Sequence, residues 1–220
     1  MPVRTIGIIG AGTMGSGIAQ AATTAGLDAV FVDVSEAPVD KGVATVARNL
    51  DRFVAKGKMT APEKDAALGR ITRSTVYDAL RPADIVIEAA SENLELKVKV
   101  LKPIDPLLRR DAIVASSTSS VSITKLAAAI SHPNRFIGMH FFNPVPVMAL
   151  VKIVRGLQTS DATHDIVEAC RRSSARPRSP SRVCRVSSSI ASWCRLPLLS
   201  LGGARPWLLP MSADRSKARS

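Results

Sequence analysis

The sequence predicts an α/β fold: a doubly wound, mostly parallel sheet with helices on both faces. Short continuous apolar, β-branched runs alternate along the chain with longer segments of helical apolar spacing, as buried parallel strands and their crossover helices require. The first apolar run also leads straight into a glycine-rich hexad and then a helix, the order of a strand-turn-helix unit.

Residues 3–9 read as the first strand, Gly10 to Gly15 as the turn and residues 14–25 as the helix behind it. A second strand, 28–34, carries Asp33 near its end. Val39, Val43, Val46, Leu50 and Phe53 recur at helical spacing and predict a long amphipathic helix. Thr60 with Glu63 makes a capping box, with Pro62 in the first turn, so another helix opens there. A weak third strand is expected at 71–75 and a fourth at 84–89. Residues 94–108 read as helix, 112–116 as strand and 122–130 as helix, and strands at 135–140 and 150–154 complete the sheet.

The chain of 220 residues has a formal charge of +12, which on a folded face would suit nucleic acid or an anionic surface. Its distribution argues against that. Residues 171–220 hold ten Arg, one Lys, one Asp and no Glu, a net of +10, leaving +2 for residues 1–170. The same stretch contains twelve Ser and follows neither the helical nor the strand period. A folded domain over 1–170 and a disordered basic tail over 171–220 are therefore expected. No apolar run of about eighteen residues predicts a membrane span, and no secretory leader pattern opens the chain. Cys170, Cys184 and Cys194 are odd in number and lack metal-ligand spacing, so a cytoplasmic setting without a metal site is expected.

Gly10-Ala11-Gly12-Thr13-Met14-Gly15 is a Gly-x-Gly-x-x-Gly set between a strand and a helix, with Asp33 at the end of the next strand. That is the context of a Rossmann-like dinucleotide fingerprint. Gly10 would allow the tight turn, Gly12 the approach of a pyrophosphate, and Gly15 close helix–strand packing, with the anion on the helix N-terminus. Asp33 would accept hydrogen bonds from the adenosine ribose and repel a 2′-phosphate, which favours NAD over NADP. The alternative is a glycine turn in a sheet protein that binds no nucleotide.

Residues 137–152 read Ile-Gly-Met-His-Phe-Phe-Asn-Pro-Val-Pro-Val-Met-Ala-Leu-Val-Lys. This run closely resembles the active-site segment of the L-3-hydroxyacyl-CoA dehydrogenases, a family that includes enzymes acting on 3-hydroxybutyryl-CoA. The resemblance covers roughly residues 1–170. It implies hydride transfer between L-3-hydroxyacyl-CoA and NAD, with His140 as the base that takes the hydroxyl proton, a task suited to an imidazole. It further implies that Ser119 hydrogen-bonds the substrate oxygen beside the cofactor, and that Asn143, Glu92 and Lys97 contact the nicotinamide half. Lys56, following Arg48 and Arg52 on one helical face, would lie near the CoA phosphates. Each residue also has a plainer reading: Ser119 as a helix cap, Asn143 as turn chemistry, Glu92 as a helix-start acid, and Lys97 and Lys56 as solvated lysines.

Three departures stand out. The family's last position in the run is a glutamate that charges and orients the histidine; here it is Lys152, which turns attraction to an imidazolium into repulsion. Ser117 stands where an asparagine is usual. The C-terminal helical domain, which in the family closes the cleft and supplies the homodimer interface, is missing from 171–220 as written. Permitted codons for residues 187–195, shifted by one base, encode Phe-Val-Val-Asn-Arg-Ile-Leu-Val-Pro, and the codons of residues 184–186 permit Pro-Gly before it. That matches the family's continuation, so a frameshift near residues 168–174 is expected. The rival reading is a non-catalytic NAD-binding remnant.

Overall fold

The strands are β1 (Thr5–Ile9), β2 (Asp28–Val32), β3 (Ile71–Ser74), β4 (Ile85–Glu88), β5 (Ile113–Ser116), β6 (Phe136–Phe141) and β7 (Val151–Arg155). The helices are α1 (Thr13–Thr24), α2 (Glu36–Ala55), α3 (Ala61–Gly69), α4 (Leu94–Ile104), α5 (Ile123–Ala127) and α6 (Asp161–Ser174). This is a computed structural model, and it describes residues 3–148 and 150–174. The strands form one sheet in the order β3-β2-β1-β4-β5-β6-β7. The first six are parallel, as expected, and β7 runs antiparallel to β6. The strand order reverses between β1 and β4, where a crevice opens at the carboxyl ends of the strands.

Strand side chains alternate between two cores, which is the physical meaning of double winding. Ala29 and Phe31, Ile85 and Ile87, and Ile113 and Ala115 face one core with Ile18, Val39, Val43, Val46 and Leu50 of α1 and α2. Val30 and Val32, Val86 and Val114 face the other with Leu101, Ile104, Ile123 and Leu126 of α4 and α5. Both faces of each central strand are therefore apolar, and those strands read as continuous runs rather than alternating ones. Asp84 pins the amino ends: it accepts the Arg4 and Thr5 N–H groups at 2.7 and 3.0 Å and the Arg109 guanidinium at 2.7 Å.

The Thr60–Glu63 capping box forms as read, with Pro62 in the first turn of α3. The helix expected over 94–108 stops at Ile104 and gives way to a short 3-10 turn, Asp105–Leu107. Pro103 and Pro106 each lack the N–H that would carry the α-helical ladder further. Helix α5 is also shorter than expected, with Ser122 as its cap, and Lys125 N–H donates to the Ser122 hydroxyl at 3.4 Å. Helix α6 was not foreseen. Its start is marked by Ser160, whose hydroxyl accepts the Thr163 N–H at 3.2 Å, and Val167 buries against the sheet. The helix continues past residue 170, across the expected start of the tail. The disordered-tail and frameshift expectations otherwise concern residues 175–220, outside the described residues.

Candidate active site

The parallel strands deliver their following loops to a single edge of the sheet. The glycine turn follows β1, Asp33 follows β2, Glu92 follows β4, Ser119 follows β5, and His140 lies near the end of β6. Residues far apart in sequence are thereby gathered at one crevice.

Gly10 has a φ of +104°, and a Cβ there would come within 2.9 Å of the Ala89 carbonyl oxygen. A Cβ on Gly15 would collide with the Gly10 carbonyl oxygen, so this glycine admits the turn's own backbone as well as the Phe31 ring. Gly12 differs: a Cβ there would meet nothing within 4 Å. No side chain caps α1, and no acidic residue stands in its first turn. An open Gly12 over an uncapped helix N-terminus suits an anion such as a pyrophosphate. Asp33 closes the turn from the next strand, accepting the Ala11 N–H at 2.6 Å and the Val34 N–H at 2.7 Å. A carboxylate has lone pairs left for ribose hydroxyls after two such bonds. A recess of about 400 Å³ lies on this side, lined by Glu36, Val39, Asp40, Arg73, Ser74 and Thr75; none of the residues read as chemical lines it.

Across the crevice, Glu92 gathers the loop after β5. One of its oxygens accepts from the Thr118 hydroxyl at 2.5 Å, the Ser119 and Ser120 N–H groups at 2.6 and 3.0 Å, and the Ser119 and Ser120 hydroxyls at 3.0 and 3.1 Å. Burial works against its charge, but these bonds outweigh it and lower its pKa to about 2. The Ser119 hydroxyl proton is thus directed to Glu92, leaving its lone pairs to the crevice. Ser122, not Ser119, caps α5. The Ser117 Oγ, where the resemblance expects an asparagine, is buried without a hydrogen-bond partner among the described residues.

Lys97 lies on α4 behind Glu92. It is fully buried, donating to both Glu88 oxygens at 2.9 and 3.1 Å and to the Ala90 carbonyl at 3.1 Å, with Glu92 at 3.4 Å. Its ammonium is directed to these protein acceptors. Glu88 escaped the sequence reading because a strand-end acid inside an apolar run carries no motif; its pairing nine residues on with Lys97 appears only when α4 folds back.

His140 is half-buried, with its ring centroid 4.7 Å from that of Phe142. On the antiparallel β6–β7 ladder its register partner is Lys152, the two residues standing directly opposite. Asn143 is exposed in the loop after β6. Lys56 is not gathered with the others: α2 has 20 residues, and Lys56 caps its far end. At the usual helical rise that is about 30 Å from the end near Asp33. Among the described residues, no group of three His, Cys, Asp or Glu side chains could hold a metal, and no helix is long and apolar enough to cross a membrane.

Sheet order, glycine turn and strand-end acid together define a dinucleotide-binding domain of the Rossmann class. Comparison with known proteins narrows this. The family model described as "3-hydroxyacyl-CoA dehydrogenase, NAD binding domain" matches residues 5–177, and the chain belongs to that family, whose cofactor is NAD. The chain is 48% identical over 163 residues to a 3-hydroxybutyryl-CoA dehydrogenase of Bradyrhizobium diazoefficiens, covering 74% of this chain and 56% of that protein. It is 44% identical over 163 residues to a probable 3-hydroxybutyryl-CoA dehydrogenase of Bacillus subtilis, covering 74% and 57%. The crystal structure of (S)-3-hydroxybutyryl-CoA dehydrogenase from Ralstonia eutropha superposes with a TM-score of 0.78 at 60% identity, over 80% of this chain and 62% of that one. The chain thus spans a little over half the length of the curated relatives it matches.

Proposed function

We propose that this chain is the NAD-binding part of a 3-hydroxyacyl-CoA dehydrogenase, of the 3-hydroxybutyryl-CoA type, which interconverts an L-3-hydroxyacyl-CoA and its 3-keto form. The observation that carries the proposal is the convergence of Gly12, Asp33, Glu92, Ser119 and His140 on one edge of the sheet, within a domain of this family. Bound NAD would supply the hydride acceptor. The turn from Gly10 to Gly15 would hold the pyrophosphate and Asp33 the adenosine ribose. Asn143, with Glu92 and the Lys97 behind it, would hold the nicotinamide half. His140 would take the proton of the substrate hydroxyl. Ser119, positioned by Glu92, would turn its hydroxyl to donate a hydrogen bond to the substrate oxygen and polarise it. Lys56, with Arg48 and Arg52, would meet the CoA phosphates at the far end of α2.

Within the same proposal the protein is cytoplasmic and binds neither nucleic acid nor membrane. The start of the helical domain that the resemblance implies would be encoded in the alternative frame of residues 171–220, and resequencing codons 165–200 tests that point. The test of function is a titration with NAD followed by an assay of NADH formation from 3-hydroxybutyryl-CoA. Absence of NAD binding would overturn the proposal. Binding without turnover would favour the second reading, a non-catalytic NAD-binding remnant, which the Lys152 opposite His140 supports.

A further inference from the structure

The buried cluster at the end of β4 holds two carboxylates around one ammonium. The Glu88 carboxylate accepts from the Ala90 N–H at 2.7 Å, the Ser116 hydroxyl at 2.6 Å, and Lys97 at 2.9 and 3.1 Å. Lys97 also pairs with Glu92 at 3.4 Å, so a single positive charge is shared between both acids. Glu88 and Lys97 are buried, while Glu92 opens to the crevice with 37% of its side chain exposed. Charges held in so little water act on their surroundings with little screening.

This cluster lies on the side that the second half of a dinucleotide would occupy. The glycine turn at β1 and Asp33 at β2 account for the pyrophosphate and the adenosine ribose, so the remaining half crosses the switch point toward β4. Glu88 is the register partner of Ile9, the residue just before that turn. Ala89, next to Glu88, packs its carbonyl against Gly10.

We propose that Glu88 tunes the domain's preference between the oxidised and reduced cofactor: with Lys97 shared between Glu88 and Glu92, the cluster presents net negative charge to the nicotinamide ring. That ring is cationic in NAD⁺ and neutral in NADH, so the excess carboxylate stabilises the oxidised form selectively. The inference rests on the NAD-binding reading above. Glu88 acts here through its charge, and a purely structural role would weaken both forms alike.

The experiment measures the affinities of the full chain for NAD⁺, NADH and ADP-ribose, by calorimetry or fluorescence, before and after Glu88→Gln. The isosteric change should weaken NAD⁺ by roughly five- to twentyfold more than NADH, the range for one charge acting through a protein interior across about 10 Å. ADP-ribose, which lacks the ring, should bind as before, and Glu88→Asp should keep the native ratio. Equal loss of NAD⁺ and NADH, or an unchanged ratio, overturns the proposal. If circular dichroism shows that Glu88→Gln does not fold, Glu92→Gln must move the ratio in the same direction, and its failure to do so overturns the proposal equally. A native chain that binds none of the three ligands sinks the NAD reading itself, an outcome distinct from binding with an unshifted ratio.

Discussion

Asp33 and Ala11 are joined by a 2.6 Å hydrogen bond from the Ala11 N–H to the Asp33 carboxylate. The strand-end acid read from sequence as a ribose ligand is also a brace on the glycine turn. Its second oxygen accepts the Val34 N–H, so both oxygens help to hold the path of the backbone around the crevice.

The native chain should bind NAD at least roughly tenfold more tightly than NADP, because a 2′-phosphate would face the Asp33 carboxylate. Asp33→Ala should weaken NAD without producing an NADP-binding protein, since the brace on Ala11 goes with the charge. Parallel titrations of both cofactors check this, and equal affinities for the native chain would remove Asp33 from the role.

Gly12 and Gly15 should respond oppositely to alanine. Gly12→Ala should fold with native stability, within about 0.5 kcal/mol, yet lose NAD affinity because its methyl enters the space over α1. Gly15→Ala must displace the Gly10 carbonyl, and should destabilise the domain by about 1–3 kcal/mol or more. Denaturant midpoints separate the two; a stable Gly15→Ala domain would contradict the turn geometry.

Lys152→Glu should place opposite His140 the charge that the resemblance implies there. In a chimera carrying the C-terminal part of the Bradyrhizobium relative, the exchange should raise kcat/KM for 3-hydroxybutyryl-CoA by at least roughly tenfold, a barrier change of about 1.4 kcal/mol. The unmodified chain should turn over near background, because loss of an oriented base commonly costs roughly 10² to 10⁴. Ordinary dehydrogenase rates from the unmodified chain would falsify the pairing of roles.

Glu92 gives the crevice an acid-sensitive latch. Its carboxyl titrates at about 2 when folded, against an ordinary value of 4.5, so the bonded anion favours the native loop. A depressed acid contributes stability that is fully present above 4.5 and is lost as pH falls toward 2. Amide exchange at Ser119 and Ser120 should therefore rise across that window in the native chain, and much less so, relative to its own baseline, in Glu92→Gln. A flat profile in the native chain would exclude the latch.

Local patterns made most of the fold legible. The apolar runs marked strands because the central ones are buried on both faces, and Thr60 with Glu63 announced α3 because a capping box is a contact within one turn. The reversal of β7 could have been read from the short link between residues 141 and 151, since a parallel crossover needs a dozen residues or more. Ser160 and Thr163 similarly marked the start of α6. In the site, Gly10, Gly12, Gly15 and Asp33 were readable because a turn and a strand end are local. Glu88 was not, because its partners Ser116 and Lys97 reach it only through tertiary packing. The same packing buries Lys97, which sequence alone could not distinguish from a solvated lysine.

β7 is the edge of the sheet at the far end from β3, and Lys152 on it is exposed. A change of side chain there displaces no core neighbour, so the scaffold around His140 is indifferent to which charge faces it. Lysine and glutamate codons differ by their first base alone. One nucleotide can therefore reverse the sign of the charge beside the histidine while the fold of the domain is left intact.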